Sequence, residues 1–322
     1  MSFHKFVLSS LTAVAGLGMA SSAMADGRNP GSLLLYPEFD NRDGIVTVLT
    51  ITNTAVNVGD VDVEFVYIGR YGSSGTYINC EEFNRTERLT DNDTLTLITN
   101  FHNPQYEQGF VYAFARDGVD SPIVHNWLIG NVMTVNGLDS FEYSVNPVVY
   151  EGLAGDANGN GLRDLNGTEY EESADLILVP RFLGQGGIYT SELILIGLTG
   201  GAAFWTTVDF LIYNDNEVAF SASHTFYCWD RVPLLSISGA FDNQFLHDFT
   251  NDDPDEIIGL PGIEAGWILI DGGIASSVTT TIDDPAFLAV MIDVNRLSSA
   301  DLPFTIGTQD NGDLLPQSIF GD

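Results

Sequence analysis

Five landmarks occur twice in this chain, in the same order, and they constrain the fold more than any other feature. The first series opens with Leu33-Leu34-Leu35-Tyr36-Pro37-Glu38-Phe39 and the second with Leu176-Ile177-Leu178-Val179-Pro180-Arg181-Phe182. Seven residues after each proline stands a glycine, Gly44 or Gly187, followed by a strand-like run, Ile45 to Ile51 or Ile188 to Ile196. Val63-Glu64-Phe65-Val66-Tyr67 is matched by Val208-Asp209-Phe210-Leu211-Ile212. Each half then has its one cysteine after aromatic residues, Tyr77-Ile78-Asn79-Cys80 against Phe226-Tyr227-Cys228. Last, Glu107-Gln108-Gly109-Phe110-Val111 pairs with Glu264-Ala265-Gly266-Trp267-Ile268. The offset between the series grows only from 143 at the prolines to 157 at the last glycines. Such an order predicts an internal duplication.

The local pattern within each copy is that of strands. Val61, Val63, Phe65 and Tyr67 alternate with Asp62 and Glu64, the signature of a strand with one wet face. Thr94 to Leu97 alternates likewise. Asn136-Gly137, Asp117-Gly118, Gly186-Gly187 and Asp271-Gly272 punctuate the runs as turns. No stretch keeps a 3.6-residue apolar period. The expected fold is all-β: two tandem antiparallel β-sandwiches with seven to nine short strands each. The expected boundaries are 26–153 for the first sandwich, 154–173 for an acidic Gly/Asn linker, and 174–322 for the second. The tail from Asp301 would match Leu138 to Val149 and belong to the second sandwich.

Residues 1–25 read as a secretory signal, with Lys5 in the basic region, an apolar run from Phe6 to about Met19, and a small-residue cleavage site at Ala23-Met24-Ala25. The mature chain would begin at Asp26, with no lipoprotein cysteine and no second apolar run of transmembrane length. It would be secreted, extracellular or at the cell surface, with the periplasm as a further compartment. Lys5 is the one lysine, so the mature chain sets 10 arginines against 44 acidic residues, a net charge of −34. That surface repels nucleic acid and anionic lipid and attracts divalent cations. It suits a salty medium and serves solubility in any case. A lysine-free chain has neither a catalytic lysine nor a phosphate-loop lysine.

The linker carries the one metal-like motif. Asp156, Asn158 and Asn160 stand at alternate positions, Gly161 follows, and Asp164 comes three residues later. Alternate residues of a tight loop point oxygens inward, which suits calcium and its six to eight oxygen ligands. The loop resembles the start of an EF-hand-type calcium site, as used also in dockerins and thrombospondin type 3 repeats, and the resemblance covers this loop alone. It implies Asp156, Asn158 and Asn160 as side-chain ligands, the Leu162 carbonyl as backbone ligand, and Asp164 as a ligand directly or through water. The twelfth position, where an EF-hand places a bidentate Glu, is Gly167. Glu169, Glu172 or Asp175 would have to close the shell, and Glu169 is the nearest. With two asparagines among its ligands, the site would bind Ca2+ weakly. The same composition also suits a solvated acidic linker that holds no ion.

Cys80 and Cys228 occupy matching places in the two series and are candidates for a disulfide in an oxidising compartment. An intramolecular bridge would need the copies to meet across a pseudo-twofold axis. The alternatives are two buried thiols, or a bond to a neighbouring subunit. Catalytic patterns are missing from the sequence: His102, His125, His224 and His247 stand singly, and no Gly-x-Ser-x-Gly elbow occurs. With so many acids, a pair of catalytic carboxylates cannot be singled out. Trp127, Trp205, Trp229 and Trp267, with Tyr71 and Tyr77, are candidates for a sugar-stacking platform, although the core suits most of them better. Trp267 replaces Phe110 at a landmark, which places it in the core. Trp229 follows Cys228 on the opposite strand face and would be exposed, a candidate for ligand stacking.

The function expected from these features is an exported, non-enzymatic structural or surface protein. It would be the subunit of an extracellular, calcium-stabilised assembly, with itself, as homo-oligomer or filament, or other cell-surface components as partners. The segment from Asp26 to Phe39 could add a strand to a neighbour's sheet edge. A secreted carbohydrate-binding protein and a secreted hydrolase are the alternatives.

Overall fold

The computed structural model describes residues 29–70, 80–105, 107–118, 121–138, 140–187, 189–214, 217–249, 262–294 and 299–314. The expected signal segment 1–25, Tyr71, Tyr77 and Ile188 lie outside them. The fold is all-β. The first sandwich runs β1 (Leu33–Asp40), β2 (Ile45–Asn53), β3 (Val61–Arg70), β4 (Glu81–Leu89), β5 (Thr94–Ile98), β6 (Gln108–Arg116), β7 (Leu128–Asn136), β8 (Phe141–Val145) and β9 (Val148–Tyr150). The linker contributes β10 (Arg163–Leu165). The second sandwich runs β11 (Leu176–Leu183), β12 (Thr190–Gly197), β13 (Trp205–Asn214), β14 (Ala219–Tyr227), β15 (Trp229–Pro233), β16 (Ala265–Ser276), β17 (Thr281–Asp283), β18 (Phe287–Val294), β19 (Ser299–Asp301) and β20 (Phe304–Ile306). β21 (Gly312–Leu314) ends the described chain.

The two sandwiches share one strand order. Sheets β4-β3-β6-β1-β9 and β5-β2-β7-β8 make the first; β14-β13-β16-β11-β20 and β15-β12-β18-β19 make the second. The landmarks fall in register. Tyr36, Val111 and Tyr67 stand side by side across β1, β6 and β3, as Val179, Ile268 and Ile212 do across β11, β16 and β13. Both opening strands slip register at the proline, between Tyr36 and Phe39 and between Val179 and Phe182. Proline has no N–H to give to the ladder, so a bulge is where a central strand tolerates it.

Burial shows how the sandwiches meet. All eight residues of β1 are buried, whereas β11 alternates buried and half-buried positions before its bulge. Each sandwich has an inner core, built around Tyr36, Phe39, Phe65 and Tyr67 in the first and Phe182, Phe210, Phe226 and Phe241 in the second. A third core lies between them. Leu35, Val66, Phe110 and Tyr112 from the outer face of the first five-stranded sheet pack on Ile194, Ile196, Leu288 and Val290 from the outer face of the second four-stranded sheet. The molecule is thus a stack of four sheets with three apolar layers, and the seam joins unlike faces.

Several expectations need correction. β1 lies between β6 and β9 in its own sheet, so the opening apolar run is not free to join a neighbour's edge. Cys80 precedes β4 whereas Cys228 follows β14, so the cysteines do not hold matching places. They are nonetheless bonded, with Cα atoms 5.9 Å apart. The bridge crosses the head-to-tail seam and needs no pseudo-twofold axis. The tail divides. β19 and β20 complete the second sandwich, but β21 pairs with β10 of the linker.

Candidate metal centre and the seam beside it

The linker is packed down at Arg163, Leu165, Glu169 and Tyr170, while Ala157 to Asn160 stay exposed. Leu165 and Tyr170 are fully buried in the seam core beside Leu314. Arg163, also buried, lays its guanidinium 4.6 Å over the Phe114 ring and donates from Nη1 to the Leu162 carbonyl. These contacts hold residues 156–169 in a closed loop. Asp156 Oδ1 accepts from the Asn160 N–H at 3.1 Å and its Oδ2 from the Gly161 N–H at 3.2 Å. Asn158 Oδ1 accepts from the Asn160 N–H at 2.9 Å, and Asn160 Oδ1 from the Leu162 N–H at 2.8 Å. Gly161 takes φ +78°, a left-handed turn that a Cβ would strain.

Glu169 closes this loop. It is 1% exposed; Oε1 accepts from the Asn158 N–H at 3.1 Å and Oε2 faces the Asp164 N–H at 3.4 Å. Asp164 Oδ2 in turn accepts from the side-chain amides of Asn158 at 2.7 Å and Asn160 at 3.3 Å. Asp156, Asn158, Asn160, Asp164 and Glu169 therefore converge. The Leu162 carbonyl, by contrast, is engaged by Arg163. Glu172 lies against Gly167, and Asp175 lies elsewhere, near Asp271.

A residue the sequence reading missed is Asp313. Pairing of β10 with β21 sets it directly opposite Asp164. Its pKa is pushed up to about 6, chiefly by burial and further by the charge of Asp164, while the Gly200 N–H works the other way. No spacing in the sequence could have found it, because it arrives from 149 residues downstream of its partner. Among the described residues, the trio of carboxylates with oxygens within 4.8 Å of one another is Asp175, Asp271 and Asp284, on the outer face of the second sandwich and not in the loop. Burial, and then the like charges, raise the pKa of Asp175 and Asp271.

Along the seam from the loop lies a polar cleft of about 240 Å³, bordered by Arg42, Phe141, Glu192, Trp229 and Arg231. Trp229 is 2% exposed, and its Nε1 donates to the Pro37 carbonyl at 2.9 Å. Strand alternation placed it opposite Cys228 and exposed; instead it shares the seam core with Cys228 and meets the other sandwich. It is unavailable for ligand stacking. Arg231 bonds Glu38 at 2.7 Å across the seam and Glu192 at 2.5 Å within its own sheet. Burial raises the pKa of Glu38, opposed by the charge of Arg231. The Arg231 guanidinium would be penalised by burial, but Glu38 and Glu192 outweigh that and hold it charged. The tryptophan expected in the core, Trp267, is half-exposed and stacks on Tyr213 with ring centres 4.4 Å apart. Trp205, 52% exposed, lies 5.2 Å from Tyr227 on the same sheet.

The histidines are dispersed and each has a partner of its own. His102 bonds Tyr67, His125 bonds Asn53, His224 bonds Asp230 and His247 bonds Glu264. No helix among the described residues is long and apolar enough to cross a membrane.

Neither a protein-family model nor a curated protein sequence matches the chain. Among solved structures, the empty top-component particle of cowpea mosaic virus aligns over 95% of this chain and 100% of its own at 10% identity and a TM-score of 0.20. A superposition that loose carries no argument here.

Proposed function

We propose that this protein is an exported, non-enzymatic structural subunit, built by duplication of one β-sandwich and stiffened by calcium, which assembles outside the cell. The shared strand order and the shared proline bulge support the duplication. The disulfide suits an oxidising compartment. The observation that carries the calcium reading is the convergence of Asp156, Asn158, Asn160, Asp164 and Glu169 on one closed loop. All five offer hard oxygen donors, the class calcium prefers. The buried Glu169 carboxylate stands in for the Glu that the EF-hand pattern lacks at Gly167. The cation would offset the repulsion between Asp164 and Asp313 and brace β10 against β21 where the sandwiches meet.

Thermal melting of the mature protein tests this reading. Calcium at 100 times its dissociation constant adds about 2.7 kcal/mol to the folded state. The melting temperature should therefore rise by several degrees and return with chelator, and Asp156→Ala should abolish the rise. A melting curve indifferent to calcium would remove the metal from the proposal.

The paired aromatics Trp205–Tyr227 and Tyr213–Trp267 favour a second reading, a carbohydrate-binding surface on the outer face of the second sandwich. Titration with a broad polysaccharide panel, followed by tryptophan fluorescence, separates the two.

A further inference from the structure

The seam inside the molecule joins the outer face of a five-stranded sheet to the outer face of a four-stranded sheet. Each face has a repeat counterpart at a free end of the stack. In the seam, Val148, Leu35, Tyr112 and Val66 stand in a row across β9, β1, β6 and β3. At the free end of the second sandwich, Phe304, Leu178, Leu269 and Leu211 stand in the same places across β20, β11, β16 and β13. The next positions repeat the relation: Phe110 and Ile68 are buried in the seam, whereas their counterparts Trp267 and Tyr213 are half-exposed. Phe304 is 65% exposed and Leu211 39%. An apolar surface that is covered in one copy is displayed in the other.

The opposite end is complementary. The free face of the first four-stranded sheet comes from β2, β5 and β7, strands of nine, five and nine residues without one charged side chain, and from edge strand β8, which adds one acid, Glu142, opposite Val135. Its outer rows read Ile98-Val48-Met133 and Thr96-Thr50-Asn131. In a mature chain of net charge −34, a broad sheet face with a single acid at its edge is not what solubility selects. The corresponding face of the second sandwich is the one covered in the seam.

We infer that the free five-stranded face of one molecule stacks on the free four-stranded face of a second copy, repeating between chains the contact already made within the chain. The inference rests on the assembly reading above and names its interface. Unlike faces meeting head to tail extend without limit when the rotation per step does not close a ring, and sheets stacked face on face along one axis give such an open filament, adding two sandwiches per subunit. Like-to-like stacking of the five-stranded faces would bring Asp209 and Asp271 against their own copies. Those acids, with Asp175 and Asp284, lie at one end of the free face. Stacking should accordingly strengthen as salt screens them.

Cross-linking of the full mature protein, with its native disulfide intact, tests the contact. Thr50→Cys and Leu211→Cys place one thiol near the middle of each free face. Under mild oxidation the variant carrying both should give a ladder of covalent oligomers on a non-reducing gel, and either variant alone should stay monomeric. Leu211→Lys, at an exposed position, should abolish assembly of an otherwise wild-type chain without shifting its melting temperature. The stacking contact is overturned if the double variant gives no ladder, if either single variant gives dimers, or if Leu211→Lys still assembles. If the wild-type chain forms filaments in any of those cases, the assembly reading survives and only this interface fails. If the wild type stays monomeric at millimolar concentration in calcium and high salt, both fall.

Discussion

Glu38 is 1% exposed, and Arg231 is the cation that faces it across the seam. A carboxylate so deeply placed is tolerable only while its partner is present, because removing one member of a buried pair leaves an uncompensated charge. Arg231→Ala should therefore destabilise the protein by about 3–5 kcal/mol, read from chemical denaturation. Adding Glu38→Leu to that variant should recover most of the loss. A double variant as unstable as the single one would mean that packing, not the pair, holds this part of the seam. The same neighbourhood marks the limit of reading single residues from sequence. Alternation set Trp229 on the face opposite Cys228, but the strand breaks at Cys228, which takes φ +62°, and both residues enter the seam core. That Trp229 is covered by another sandwich depends on a contact 192 residues away, to the Pro37 carbonyl. Trp267 was misplaced for the converse reason: its mate Phe110 is buried by the seam, and Trp267 has no such cover. Asp156, Asn158, Asn160, Asp164 and Glu169 were legible because a tight loop brings near neighbours together. Asp313 was not, because only strand pairing brings it there.

At the scale of elements, the landmarks proved legible where they reflect strand chemistry. Proline bulges and alternating apolar residues are local, so β1 and β11, and β3 and β13, could be matched from the sequence. The cysteines misled because Tyr77-Ile78-Asn79-Cys80 and Phe226-Tyr227-Cys228 look alike as strings, while one cysteine precedes its strand and the other follows. Their bond joins residues 148 apart and spans the seam. Closing a loop of that length removes denatured-state entropy worth up to about 5 kcal/mol in the chain-entropy model. The Cys80→Ser, Cys228→Ser double variant should lose a large part of that stability in chemical denaturation, as should the wild type under strong reductant. Equal stability with and without reductant would show that the apolar seam alone fixes the two sandwiches. The linker adds a second tie, since β10 pairs with β21 while Leu165 and Tyr170 lie in the seam core. An apparent hinge in the sequence is thus a wedge in the fold.

At the scale of the molecule, a single asymmetry organises the account. Two sandwiches of identical strand order have met through unlike faces, which covers one face of each kind and leaves one of each free. The chain carries its net charge of −33 mostly elsewhere and leaves the free four-stranded face with one acid, Glu142, on its edge strand. The proposed duplication, the proposed calcium loop at the seam and an unsatisfied pair of end faces are together what a repeating subunit requires. The most direct measurement is electron microscopy of the purified mature protein at high concentration, with calcium and with chelator. The account predicts filaments in calcium, with one four-sheet block as the axial repeat, and fewer or shorter ones in chelator. Monodisperse single particles in both conditions would contradict it.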